Sequence, residues 1–556
     1  MKSFIHSLLV GGLFVSGAAA TFSAQAQVTP ERLLNAESEP HNWLLYQGDY
    51  NGQRHSDLKQ ITADNVANLE IKWIWQARSP ASGGQKFEAT PLVVDGVMYT
   101  VSPPNDVIAL DPRTGRVFWT YAYAPATEAR VCCGRVNRGL AIHGDTLYMG
   151  AIDGHLLAID AKNGQVKWNI VVGDPKAGYA LTVAPLVIGD KVIVGPAGGE
   201  YGIRGFIAAY DVETGAEQWR FNTIPGPGEK GFESWSDPAK EAWKNGGGSI
   251  WTTGSYDPEL NLTYWGVGNP GPDWNGDTRP GDNLYTESVV ALNPDTGELV
   301  WHYQFTPHDE MDYDATQVEV LADIEWQGKP RKVLMTANRN GVFYVLDRTN
   351  GEFLLGKPFV AVNWMDGTFD AKGRPNRVLS PTEGGTFIMP NNQGATNWYP
   401  ASFSPVTGYY YVPTWMDTYS VYTKRPVTPY VEGQQFVGTF PTMAVPALQV
   451  RPVNQRIPEE GFGAIQAIDP ATGEIAWRHE MADVTDSGVL STATNLVFAG
   501  GREGFFYGLD AKTGEELWRK NLGGQVASGP ISYELDGKQY IAVSAGGALF
   551  VFGLEE

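Results

Sequence analysis

The chain has 556 residues, 65 of them glycine, an aromatic content of 12% and a formal net charge of −21. So large an acidic surplus argues against nucleic acid as a partner, because phosphate binding is carried by cationic side chains. Long stretches of helical periodicity are scarce, and frequent turn residues separated by large aromatic side chains point to an all-β chain.

The first 26 residues read as an export signal rather than as fold. Lys2 supplies the positive charge, Leu8 to Ala20 is an apolar run broken by glycine and serine, and Ala24-Gln25-Ala26 is a small-x-small cleavage site. The run is too short and interrupted for an anchor, and no later stretch is long and apolar enough to span a bilayer. The expectation is a signal peptide over 1–26 and a periplasmic domain over 27–556, with no transmembrane segment in the mature chain.

From residue 109 onward one phrase recurs. A short apolar strand is followed by Asp or Asn, two residues, Thr-Gly or Asn-Gly, three residues and Trp. It reads "ALDPRTGRVFW" to Trp119, "AIDAKNGQVKW" to Trp168, "AYDVETGAEQW" to Trp219 and "ALNPDTGELVW" to Trp301. It returns as "AIDPATGEIAW" to Trp477 and "GLDAKTGEELW" to Trp518, while "VLDRTNGEFLL" (345–355) keeps the turn without the Trp. Asp and Asn open turns by bonding their own backbone, and glycine takes the left-handed position, so each phrase is a hairpin. Where the motifs are adjacent the spacing is roughly 50 residues, which suits a four-stranded propeller blade. A Trp at a fixed place in each blade would pack against the next. Seven motifs plus the divergent "FSPVTGYYYVPTW" (403–415) give an eight-bladed β-propeller, with 225–248 and the Pro-rich 425–458 as the two largest insertions.

This Trp-ended repeat resembles the tryptophan-docking motif of the quinoprotein alcohol dehydrogenases, which hold pyrroloquinoline quinone (PQQ) and a metal ion in the funnel of an eight-bladed propeller. The resemblance covers nearly all of the mature chain. "RVCCGRVNRG" (130–139) is its most unusual match. Adjacent cysteines close a disulfide only as a strained ring, with Cα atoms at most about 3.8 Å apart. The resemblance implies that the ring of Cys132 and Cys133 covers one face of PQQ and that Trp251, in "GGGSIW", stacks on the other. It assigns further cofactor contacts to Glu88, Arg138, Thr182, the backbone at Gly198 and Gly199, Asn397 and Trp398.

The metal ligands implied are Glu200 in "GGEYGIRG", Asn269 in "GVGNPGP" and Asp312 in "HDEMDYDA" (308–315). All are hard oxygen donors of the kind calcium-like ions prefer, with no His or Cys to favour zinc or copper. The last segment carries a second acid, Asp314. If 312–314 is extended, both carboxylates point the same way and reach one ion. Calcium-type members of the family have a small residue there, whereas lanthanide-type members have Asp-x-Asp. A trivalent ion has one more charge to neutralise, so the expectation is a lanthanide ion, with Ca²⁺ as the alternative.

The activity implied is oxidation of a small primary alcohol to an aldehyde by hydride transfer to PQQ. Asp312 would be the general base, and Arg339, in "ANRNGVFYVLD", would stabilise the developing negative charge. The chain has no Cys-x-x-Cys-His, so covalent c-type haem is not expected within it, and electrons would pass to a separate soluble cytochrome c. A homodimer is a candidate assembly. Calcium-dependent oxidation of other alcohols, polyols or sugars is the alternative within the class. A non-catalytic propeller scaffold of outer-membrane assembly shares the repeat, but needs neither the Cys pair nor the dispersed Glu/Asn/Asp set.

Overall fold

A computed structural model describes residues 27–77, 86–438, 442–443 and 461–555. The export signal and most of the second insertion therefore lie outside the described residues. Eight sheets of four or five strands form the blades. The first comprises Leu92–Val94, Val97–Ser102, Asp106–Leu110 and Val117–Tyr121, paired antiparallel in that order. The first strand of this blade is fully buried, while every position of the fourth is half-buried or exposed.

The repeat explains the turn between third and fourth strands. Asp111 accepts hydrogen bonds from the Arg113 N–H (2.9 Å) and the Thr114 hydroxyl (3.1 Å), and Gly115 takes φ +71°. In seven blades a β-bulge interrupts the ladder beside this turn, the extra residue re-aiming the fourth strand. The tryptophan then reaches into the next blade. Trp119 Nε1 donates to the Ala161 carbonyl at 3.1 Å, and an added Cβ on Gly164 would stand 2.6 Å from the Trp119 ring. Trp168, Trp219, Trp301 and Trp477 make the same donation to Val212, Pro294, Arg348 and Ala511. Where the phrase has lost its Trp, Leu355 lies against the next turn, 2.9 Å from the Cβ position of Gly473.

The eight blades are present, but the eighth is not where "FSPVTGYYYVPTW" suggests. Ser402–Phe403 and Tyr410–Met416 pair with Phe462–Ile468 and Ile475–Met481, so that segment opens the blade that ends in Trp477. The eighth blade combines Ile531–Leu535, Lys538–Ala545 and Ala548–Leu554 with Leu69–Gln76 from the other end of the chain. Its docking residue is Trp73, which donates to Pro112 O at 3.0 Å and covers Gly115. Trp73 follows no Asp-x-x-Thr-Gly turn because its strand arrives from a distant part of the sequence.

Candidate active site

Blade geometry places the site. In an antiparallel blade, the start of the first strand and the end of the second lie on the same face. Glu88, Arg138, Thr182, Trp251, Asp312, Asp314, Asn397 and Trp398 all fall within eight residues before a first strand. Glu200, Asn269 and Arg339 all fall just after a second strand. One mouth of the channel therefore receives residues scattered over more than 300 positions. They meet in a cavity of about 870 Å³, counted to its open mouth. Its lining includes Glu88, Cys132, Cys133, Arg138, Thr182, Gly198, Glu200, Trp251, Asp312, Asp314, Arg339, Asn397 and Trp398. Gly199 and Asn269 lie behind this wall, with the Gly199 Cβ position 3.2 Å from Asn269 Oδ1.

Cys132 and Cys133 are disulfide-bonded, with Cα atoms 3.8 Å apart. In the same cavity Arg138 lies between two indoles, its guanidinium carbon 4.8 Å from the Trp251 ring centroid and 4.9 Å from that of Trp398. Arg138 donates to Thr182 Oγ1 at 2.9 Å and to the Trp251 carbonyl at 3.1 Å, and pairs with Glu88 at 3.1 Å. Its buried Nε has no partner, nor does the buried Nε of Arg339. Buried donors left unpaired are costly. A flat, polyanionic group fits such a cavity, since it would meet aromatic planes together with guanidinium donors.

The acid cluster lies at one end. Asp312 has φ +62°, so 312–314 is not the extended segment expected from the alternation argument. The two carboxylates converge by another route. Asp309, fully buried, accepts the backbone N–H groups of Met311 (3.1 Å), Asp312 (2.7 Å) and Tyr313 (3.3 Å) and folds the loop around itself. Tyr313 turns away and donates to Pro390 O at 2.6 Å. Glu310 faces Arg377 at 2.8 Å and accepts from Gly276 N at 3.0 Å. Asp309 and Glu310 thus serve as supports for the loop. Arg339 then meets Asp314 at 2.5 Å and Asp312 at 3.4 Å. Asp314 Oδ1 also accepts the Asn269 backbone N–H at 2.7 Å, an approach that a side chain on Gly268 would block at 2.5 Å.

These acids do not ionise easily on their own. Burial raises Glu200 to about 7, helped by the charge of Asp314. Burial pushes Asp312 well above the usual carboxylate range. Arg339 opposes that shift, while Asp314, Asp273 and Glu200 add to it. Asp273 was not foreseen from the sequence. It is fully buried four residues after Asn269, and burial, with the charges of Glu200 and Asp314, pushes it well above the usual carboxylate range, opposed by Arg279 and the Asn269 side chain. Among the described residues, one set of three Cys, His or acid side chains has ligand atoms all within 4.8 Å of one another, namely Cys132, Cys133 and Glu200. Sulfurs tied in a disulfide are not thiolate ligands. The oxygens of Glu200, Asp312 and Asp314 are spaced more widely, with Arg339 bridging the two aspartates. The donor set is nevertheless all oxygen, half-buried to buried, and richer in negative than in positive charge, which fits a hard multivalent cation.

The sequence reading also left out Lys86, Ser249, Gln393 and Tyr399, all of which line the cavity, and assigned no role to Arg502. Adjacency was the available signal for two of them. Lys86 precedes Glu88 by two residues, and Tyr399 follows Trp398.

A closed eight-bladed ring with this funnel defines a quinoprotein of the alcohol dehydrogenase class, and comparison with known proteins agrees. The family described as "PQQ: Glucose/ethanol/alcohol dehydrogenase, beta-propeller domain" matches residues 43–362 and 359–541. The chain belongs to this family of PQQ-dependent alcohol dehydrogenases. It is 37% identical to the quinoprotein alcohol dehydrogenase PedH of Pseudomonas putida, over 99% of this chain and 93% of that protein. It is 40% identical to the quinohemoprotein alcohol dehydrogenase ADH-IIG of Pseudomonas putida, over 94% of this chain and 74% of the relative. Among solved structures it superimposes on a europium-containing methanol dehydrogenase with a TM-score of 0.86 and 33% identity, covering 94% of this chain and all of the other.

Proposed function

We propose that the protein is a periplasmic alcohol dehydrogenase that uses PQQ with a trivalent lanthanide ion, converts primary alcohols to aldehydes, and passes electrons to a separate cytochrome c. The observation that carries the choice of ion is Asp314. It is a buried carboxylate, the second on the guanidinium that Asp312 also meets, and it lies near Glu200 and the buried Asp273. A buried carboxylate without a counter-charge is expensive, and a third positive charge on the ion offsets it. The likeness to a methanol dehydrogenase that contains europium, itself a lanthanide, supports the same reading.

When bound, the quinone and its ion supply the hydride acceptor and Lewis acidity. The chain's residues do the rest. Trp251 and the Cys132–Cys133 ring would bracket the cofactor, and Arg138 and Thr182 would hold its polar edge. Asp312 Oδ would take the hydroxyl proton of the alcohol, and ionisation of that carboxylate is favoured by a neighbouring cation and by Arg339. Arg339 would donate to the oxygen on which negative charge develops. Glu200, Asn269, Asp312 and Asp314 would hold the ion.

One observation favours calcium instead. Asp314 already receives the Asn269 N–H and Arg339, so its charge is partly compensated without a trivalent ion. The deciding experiment is alcohol-dependent dye reduction by the PQQ-loaded chain with Ca²⁺, La³⁺ or Ce³⁺. Turnover with the lanthanides is expected, and turnover with Ca²⁺ alone overturns the assignment. Fractionation of a host expressing the full chain checks the compartment, with recovery in the cytoplasm and an uncleaved residue 1–26 segment as the contrary result.

A further inference from the structure

Beside the cavity lies a second charged group that the reaction does not use. Asp486 is fully buried, four residues before the first strand Leu490–Thr492 of the blade that ends in Trp518. Lys86 Nζ stands 2.6 Å from its Oδ2. Arg502 donates twice, Nε to Oδ2 and Nη2 to Oδ1, both at 3.0 Å. The Tyr399 hydroxyl donates to Oδ1 at 2.7 Å, and Gln525 adds a further bond to Oδ2. Two full positive charges and two neutral donors thus surround one carboxylate. Burial works to raise Asp486, but Arg502 and Lys86 overcome it and hold it at about 2. Asp486 is saturated, and one positive charge is left over.

That surplus is placed on the cavity wall. Arg502 is turned inward, its guanidinium 5.0 Å from the Trp415 ring, and does not line the cavity. Lys86 does line it, with 36% of its side chain exposed, and an ammonium held by one acceptor keeps further N–H donors free. The other cations of the wall are largely committed. Arg138 is paired with Glu88, and Arg339 with Asp312 and Asp314. Arg130 lines the wall as well. A quinone with three carboxylates brings more negative charge than the Arg138–Glu88 pair can balance.

We propose that Lys86 is a carboxylate anchor for the quinone cofactor, with Asp486 as the positioning residue that holds its ammonium at the cavity wall. The inference rests on the family's cofactor and is independent of which metal the chain uses. Lys86 comes from the loop before the first blade, and Asp486, Arg502 and Gln525 from residues 486–525. Binding therefore draws on the two sides of the junction where the ring closes.

The test titrates PQQ into the full chain depleted of cofactor, following quenching of tryptophan fluorescence, with Ca²⁺ and separately with La³⁺. Lys86→Met should weaken PQQ binding tenfold or more with either ion and reduce the salt dependence of binding. Lys86→Arg should stay within about threefold of the wild type, since the charge is kept. Asp486→Asn, which leaves the ammonium in place but unheld, should weaken binding less than Lys86→Met. Circular dichroism and the melting temperature confirm that each variant is folded. A folded Lys86→Met chain with wild-type affinity and salt dependence overturns the proposal. If the wild type binds PQQ with one ion and not the other, only the metal assignment moves. If it binds PQQ with neither, the cofactor reading falls and Lys86 with it.

Discussion

Asp312 and Asp486 are aspartates on equivalent loops of different blades, each a few residues before a first strand, the one lining the cavity and the other holding Lys86 at its wall. Their charges are held in opposite ways. Asp486 has Lys86, Arg502, Tyr399 and Gln525 on it and is held at about 2. Asp312 has Arg339 at 3.4 Å and three acids nearby, and is pushed far upward. Burial is common to both, so burial alone does not decide ionisation. The balance of neighbouring charge does. The Asp486 cluster is electrostatically finished by the chain. The Asp312 cluster is left short of positive charge and gains it from a bound cation.

Asp312→Asn removes the proton acceptor while keeping the shape of the loop, and kcat of the loaded enzyme should fall by about 10²- to 10⁴-fold. A loss below tenfold in steady-state turnover would move the base elsewhere. Asp486→Asn should leave chemistry largely alone and cost stability, by about 3 kcal/mol, because it strands two cations around a buried site. Chemical denaturation reads this, and an unchanged midpoint would mean that the cluster is not finished as described. Asp314→Ala sharpens the contrast, since lanthanide-dependent kcat/KM should drop by about 10- to 100-fold and calcium-dependent turnover by less.

The smallest effect is on pH dependence, where the two clusters have opposite signs. Asp486 is depressed, so its contribution to stability is present above pH 4 and is lost as pH falls towards about 2. Glu200 is raised to about 7, so its contribution favours the metal-free fold below its unfolded value near 4.5 and is gone as pH rises through 7. Melting temperature of the metal-free protein should therefore decline between pH 5 and 7, and Glu200→Gln should flatten that decline by a few degrees. Equal slopes in the two proteins would show that Glu200 is not the group responsible.

The fold was legible where the chain repeats itself. Asp111, Thr114 and Gly115 define a turn through local bonds, and the same grammar returns at Asp211 and Asp510. Trp73 was not legible, because its partner turn belongs to another blade and its own strand pairs with Ala548–Leu554. The site shows the same division. The Cys132–Cys133 disulfide could be found because it sits in a distinctive short context, and Glu200 and Asn269 were singled out on theirs. Asp312 and Asp314 were found for a reason the backbone does not support, since convergence comes from the Asp309-centred loop and not from strand alternation. Asp273, Lys86 and Asp486 carry no local signature, because their meaning lies in which charges surround them after the blades have closed.

The pairing of Leu69–Gln76 with Ala548–Leu554 carries a consequence for how the funnel comes into being. Leu69–Gln76 waits for Ala548–Leu554, so the clasp is fastened only once the intervening blades are in place. Contacts so distant in sequence are slow to form, since the entropy of closing the intervening loop is spent first. Lys86 lies on one side of this clasp and Asp486 on the other. A truncated or half-folded chain would therefore lack the carboxylate anchor, and the capacity to retain a quinone would report that the ring had been completed.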